Sequence, residues 1–162
     1  MLLRQQKVGR FFGWVSYTLM RSERKDHPAS DWRLFDYDQT HVLTLLGSYD
    51  LGLGFEVGAR LRYATGFPRT PVTGAFYDSL TDAYQPKFGA QNSVRIDAFY
   101  ALDVRVAKRL KVGKTEGEVY LDVQNVTNHA NAEEIVYDPT YTQRGNITGL
   151  PVLPVVGARW SW

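Results

Sequence analysis

Glu56, Arg60, Arg62, Asp103, Arg105, Asp122 and Arg159 stand at alternate positions of segments whose intervening residues are largely apolar. On an extended chain, residues spaced by two share one face. The chemistry such a face suits is ion pairing within itself and contact with water or a polar solute. Two readings stay open at this point: a lining past which a solute moves, or a plain polar wall.

Spacings that would carry covalent chemistry are missing. Gly113-Lys114-Thr115 lacks the glycine that a phosphate loop places five residues before Gly113, where Lys108 stands, and no helical pattern follows. Gly52-Leu-Gly-Phe-Glu-Val-Gly58 has one residue too many for a dinucleotide fingerprint and runs into a strand. Both read as turns. Ser48, Ser93 and Ser161 have no neighbouring base, so a nucleophilic triad has no support. His27, His41 and His129 lie far apart without metal-ligand spacing. Asp36, Asp38 and His41 could hold a cation at the mouth of a loop, but their setting reads rather as solvated loop residues and turn formers. Cysteine is absent, which removes thiolate and disulfide chemistry. The expectation is a binding or structural chain, not an enzyme, with no cofactor and no metal.

The elements that carry these residues alternate with period two. Phe55, Val57, Ala59, Leu61 and Tyr63 share one face of residues 55–63, against Glu56, Gly58, Arg60 and Arg62 on the other. Residues 11–19 place Phe11, Gly13, Val15, Tyr17 and Leu19 together, and residues 41–51 place Leu43, Leu45, Tyr49 and Leu51 together. Tyr100, Leu102, Val104 and Val106 oppose Asp103, Arg105 and Arg109; Val119, Leu121 and Val123 oppose Glu118, Tyr120, Asp122 and Gln124. Val156, Ala158, Trp160 and Trp162 oppose Gly157, Arg159 and Ser161. The fold class expected is therefore all-β, an antiparallel meander of about six long strands. Their lengths suit a tilted crossing of a bilayer, which takes about 9–11 residues per strand.

The connections point the same way. Residues 50–54 and 111–117 are tight, glycine-containing links. Residues 21–39, 66–93 and 128–151 are long, polar and rich in Gly, Pro, Asn, Asp and Tyr. Short turns at one end and long loops at the other are the pattern of an outer-membrane barrel, whose turns are periplasmic and whose loops are extracellular. Centring the 111–117 hairpin after Gly113 sets Arg109 opposite Glu118, Arg105 opposite Asp122, Val104 opposite Val123 and Val106 opposite Leu121. Phe11, Tyr49, Phe55 and Trp162 then fall at the turn end, and Tyr63 and Tyr100 at the loop end. Leu43, Leu45, Ala59, Leu61, Val104 and Val106 lie between as an aliphatic band, so that aromatic girdles flank a greasy belt. A soluble antiparallel sheet with one wet face would show the same alternation; the girdles and the loop asymmetry favour the membrane.

Composition sets the outer limits. In 162 residues, 44% hydrophobic and 14% aromatic, no apolar run approaches the length of a membrane-spanning helix. A net charge of +2, from 19 basic and 17 acidic residues, gives no electrostatic case for nucleic acid. The first residues, Met1-Leu-Leu-Arg-Gln-Gln-Lys-Val8, lack the apolar core and cleavage site of an export signal. The expectation is a carboxy-terminal segment of a larger outer-membrane barrel.

Gly13-Trp-Val-Ser-Tyr-Thr-Leu19, Phe35-Asp-Tyr-Asp-Gln-Thr-His41, Arg62-Tyr-Ala-Thr-Gly-Phe-Pro68 with Thr70-Pro71, Leu121-Asp-Val-Gln-Asn-Val-Thr-Asn128 and Leu153-Pro-Val-Val-Gly-Ala-Arg-Trp-Ser-Trp162 follow one another in an order that resembles the barrel of TonB-dependent receptors. The resemblance spans residues 1–162. It implies a twenty-two-stranded barrel in the outer membrane of a Gram-negative bacterium, plugged by an amino-terminal domain, that imports a scarce nutrient with energy delivered through TonB. This chain matches wall strands and three loops but contains neither the plug nor the TonB-contacting box, so TonB would act through the missing plug. The seven alternating charges would then face the lumen, and Tyr77, Tyr84, Phe88, Tyr137 and Tyr141 in the loops would be candidate ligand contacts. Val156, Ala158, Trp160 and Trp162 would form the signal read by the barrel-assembly machinery. Implied partners are outer-membrane lipid, lipopolysaccharide, the remaining strands and the plug. The alternatives are a barrel wall of structural or adhesin-like role without energised transport, and a soluble β-domain binding a ligand on its sheet.

Overall fold

The computed structural model describes residues 1–113 and 115–161, with residues 5–7 described by their backbone only. The chain is all-β; among the described residues no helix forms. Seven long strands make one antiparallel sheet in sequence order: β1 (Leu2–Val8), β2 (Phe11–Leu19), β3 (His41–Gly52), β4 (Phe55–Ala64), β5 (Phe99–Val112), β6 (Thr115–Gln124) and β7 (Leu153–Ser161). The meander is as the alternation predicts, with one strand more. β1 escapes a pattern search because its apolar residues, Leu2, Leu3 and Val8, do not alternate. A register irregularity between Gln5 and Val8 breaks the one-to-one pairing with β2, so β1 pairs without showing period two.

Register is set by the turns. Between β3 and β4 the two residues of the turn, Leu53 and Gly54, both adopt positive φ (53° and 82°), as a type I′ hairpin requires. Gly54 also lies against β5: a Cβ there would stand 2.6 Å from the Arg109 carbonyl oxygen. Between β5 and β6 the pairs are Arg109 with Glu118, Arg105 with Asp122, Val104 with Val123 and Val106 with Leu121, the register expected from sequence.

Rows of apolar side chains cross the sheet as a result. Val15, Leu45, Leu61 and Leu102 form one row; Ala59, Val104, Val123 and Pro154 form another. This face is uncovered. Val15, Val106, Val119, Leu121 and Trp160 are exposed, and Val156 is 81% exposed. Buried apolar side chains among the described residues reduce to Pro68, Ile96 and the alanines Ala101, Ala107 and Ala132. A water-soluble chain of this length would bury its large aliphatic residues in a core. Here the sheet turns them outward.

Aromatic rings lie at both rims of that face. Phe11 pairs with Tyr49 at the turn end, and Tyr63 pairs with Tyr100 at the loop end. Trp162 lies outside the described residues, but Trp160 takes a similar place: it pairs with Gly117, where any Cβ would collide with its indole. Tyr120 covers Gly157 in the same way on the opposite face. Glycine under a ring lets the aromatic lie flat on the neighbouring strand, which pins register.

The sheet does not close. β1 and β7 are its two edges, and no pairing joins them among the described residues. The long connections form four small hairpins or strand pairs rather than open loops: Glu23–Arg24 with Arg33–Leu34, Pro68–Arg69 with Val94–Arg95, Val72–Asp78 with Ala83–Phe88, and Ala132–Tyr137 with Arg144–Thr148.

Candidate functional site

Two arrangements of polar side chains stand out: a network on the charged face of the sheet, and a fastened cluster where the loops meet. The strand register puts Glu56, Arg60, Arg62, Asp103, Arg105, Asp122 and Arg159 on one face, opposite the apolar rows.

Asp103 is the hub of the network. Its carboxylate, 6% exposed, accepts from Arg60 Nε and Nη2 at 3.0 and 2.8 Å and from Arg62 Nη2 at 3.1 Å, all on Oδ2. Oδ1 accepts the backbone N–H of Asn125 at 3.0 Å. Arg60 is the direct register partner of Asp103, whereas Arg62 reaches it diagonally past Ala101, whose small side chain leaves the room. Glu118 is a second node, within 2.9 Å of Arg105, 3.5 Å of Arg159 and 4.0 Å of Arg109. Arg109 also pairs with Glu56 on the other neighbouring strand. Arg105 sits closer to Glu118, four residues along β6, than to Asp122 directly opposite, at 3.9 Å. The long arginine side chain of Arg105 lies along the strand to make that contact. Its guanidinium also lies 3.7 Å from the centre of the Tyr120 ring. Between this network and Phe12, Leu46 and Ser48 runs a groove of about 350 Å³.

Asn125 and Asn131 anchor the loop that leaves β6. Asn125, at φ 48°, donates from Nδ2 to the carbonyls of His129 and Leu150 and accepts the His129 N–H. Asn131 uses its amide as a stretch of backbone would, accepting Tyr100 N–H at 2.8 Å and donating to Tyr100 O at 3.0 Å. Both side chains are buried. Their roles were missed in the sequence because a lone Asn in a loop reads only as a turn former; the signal available for Asn125 was its place directly after an alternating strand.

Asp38 departs most from the sequence reading. It is not solvated but fully buried. Arg95 reaches it with Nη2 and also donates to the carbonyls of Asp38 and Gly66 at 2.9 Å. Ser22 N–H donates to Asp38 Oδ1 at 2.6 Å. Asp36 accepts from Arg33 and Asn92, and Arg69 grips Glu134 with two bonds of 3.0 Å. These contacts tie residues 20–40, 65–98 and 125–152 into one cluster. A cation at Asp36, Asp38 and His41 has no place here: both carboxylates are taken, and His41 Nδ1 meets the Tyr17 hydroxyl at 2.8 Å. Among the described residues no metal-binding group of side chains forms.

The loop aromatics pair within their own hairpins. Tyr77 meets Tyr84 edge-on at 5.5 Å, and Tyr137 meets Tyr141 at 6.0 Å. Phe88 is exposed on the strand that carries Tyr84. Among the described residues no ring contact joins these hairpins. His129 stacks on Tyr100 with ring centres 3.7 Å apart.

Asp38, Glu134 and Asp138 titrate low. Burial works against the Asp38 charge, but the Arg95 guanidinium and the Ser22 N–H outweigh it and hold the carboxyl below the usual range. Arg69 lowers Glu134 likewise. Asp138 is pushed down to about 2 by the Thr140 hydroxyl and the Gln143 N–H. A folded pKa below the unfolded one stabilises fully above the unfolded value, about 3.9 for Asp, and this is lost as pH falls through the folded value. The Ser22 amide proton should therefore report a titration midpoint below about 3.9 when followed by NMR in detergent micelles. A midpoint at or above 4 would contradict the Asp38–Arg95 assignment.

Comparison with models of known families, with characterised proteins and with solved structures gives no match.

Proposed function

We propose that the chain is part of the wall, with three attached loops, of an outer-membrane β-barrel of the TonB-dependent receptor type. It contributes binding surface to the energised uptake of a scarce nutrient. The observation that carries this reading is the uncovered apolar face of the sheet, bounded by aromatic rows, in a chain with almost no apolar core. An apolar surface of that extent is stable against lipid and not against water. The charged face would then look into the lumen, the tight turns to the periplasm and the loop cluster to the outside. The mechanism is binding and passage, with no covalent step. The receptor type itself rests on the sequence motifs.

In this reading other strands complete the barrel. Unpaired strand edges in lipid cost several kcal/mol for each unsatisfied backbone group. β1 and β7 run in the same direction, because five antiparallel strands separate them. Joining them directly would make a parallel seam, so an all-antiparallel barrel needs an odd number of added strands. The plug and TonB would act from outside this chain, and Val156, Ala158 and Trp160 on β7 would present the apolar row read by the assembly machinery.

The test is the behaviour of the full chain with and without detergent. Refolded from urea into detergent micelles it should give a β-rich species that stays dispersed, and refolded into buffer alone it should aggregate. A folded, monomeric, detergent-free protein would defeat the membrane reading in favour of a soluble ligand-binding sheet.

A further inference from the structure

On the apolar face of β2 to β7 the described residues include one charged side chain, Lys108. It lies near the turn end of β5, with Phe55 as its register partner on β4 and Val119 on β6. An isolated ammonium on a lipid-facing surface is costly unless it meets water or an anion.

Its surroundings fix where the ammonium points. Nζ donates to the carbonyl oxygen of Leu53 in the β3–β4 turn and stands 3.9 Å from the centre of the Phe55 ring. The charge is thus drawn toward the rim, at the level of the aromatic row. A lysine ammonium has three N–H donors. One is spent on Leu53, and no carboxylate lies within salt-bridge distance among the described residues. Two donors remain for an anion.

Just beyond it, away from the rim, the next row across three strands is Val106, Leu121 and Val156. With Val119 these side chains line a shallow apolar trough that begins at Lys108. Ala158, small and beside Val119, leaves the trough open toward β7. A cation at the rim followed by an aliphatic trough matches a molecule with an anionic head and a hydrocarbon tail.

We propose that Lys108 and the Val106–Val119–Leu121–Val156 trough hold an anionic phospholipid of the leaflet on the turn side, its phosphate on the ammonium and an acyl chain along the trough. This rests on the membrane reading above. The site fixes the depth of the sheet in the bilayer by tying one strand to the headgroup layer.

The test is cosedimentation of the full chain with vesicles of phosphatidylcholine alone and of phosphatidylcholine mixed with phosphatidylglycerol. Wild type should bind the mixed vesicles about fivefold more tightly, the contribution of one basic residue at an anionic surface. K108Q should lose that preference while binding neutral vesicles as wild type does, and K108R should retain it. K111Q removes the same charge from Lys111, which pairs with Glu116 on the other face, and should also retain it. Equal preference in wild type and K108Q, or equal loss in K111Q, would overturn the site while leaving the membrane reading intact. Failure of wild type to bind either vesicle would overturn both.

Discussion

Arginine in place of Leu45 or Val104 should cost about 2–4 kcal/mol when the completed barrel that contains this chain is unfolded by urea from phospholipid vesicles. Each stands in the middle of an apolar row, between neighbours that offer no anion: Leu45 between Val15 and Leu61, Val104 between Ala59 and Val123. In a bilayer the new guanidinium must be dragged toward a headgroup or paired with water in hydrocarbon, and both are costly. The control is Ser48→Arg, on the charged face of the strand that holds Leu45. Its guanidinium would enter an open, solvated groove whose lining includes Glu56, Asp103 and Asp122 beside Arg60 and Arg105, so the change should cost under about 1 kcal/mol. The difference between the two faces is the measurement. Equal costs would mean that both faces see the same solvent, and the membrane reading would fail.

The sheet was legible in sequence wherever alternation and turn chemistry agreed. Residues 55–63 alternate without a break, and the link after Val112 is short, so the β5–β6 register followed by counting outward from the turn. β1 was illegible because a bulge inserts a residue and scrambles the alternation that defines a face. The loops were legible as loops and no further. What orders them is a set of contacts between distant residues, Asp38 with Arg95 and Arg69 with Glu134, and one sequence shows no sign of which charges will meet. Burial of Asp38 depends on that meeting, so it read as solvated. Lys108 was visible as a charge out of phase with its strand, but alternation treats a single exception as noise.

The two polar systems meet at Asn125. Asn125 closes the hydrogen-bond set of Asp103 with its N–H and opens the last loop with its side chain. A change in how Arg60 and Arg62 hold Asp103 is therefore felt directly at the base of that loop, whose Glu134 is gripped by Arg69 of the neighbouring one.

Asp103→Ala tests that junction and should be the most damaging polar substitution on the sheet. It removes the acceptor of Arg60, Arg62 and the Asn125 N–H at once, leaving two guanidiniums facing each other over a nearly buried site. Breaking a buried pair by deleting one partner costs about 3–5 kcal/mol, and the half-exposed arginines place this case at the low end, about 3 kcal/mol. Urea unfolding in detergent micelles measures it, and amide exchange at Asn125 and His129 should quicken before the strands open. Arg60→Leu alone should cost less, since Arg62 and Asn125 still satisfy the carboxylate. Combined with Asp103→Ala, the loss should fall short of the sum of the single changes by about 1–2 kcal/mol, as it does for residues sharing one network. Strict additivity, or a cost below about 1 kcal/mol for Asp103→Ala, would show that the carboxylate is only a solvated wall charge and that the loop is held by other means.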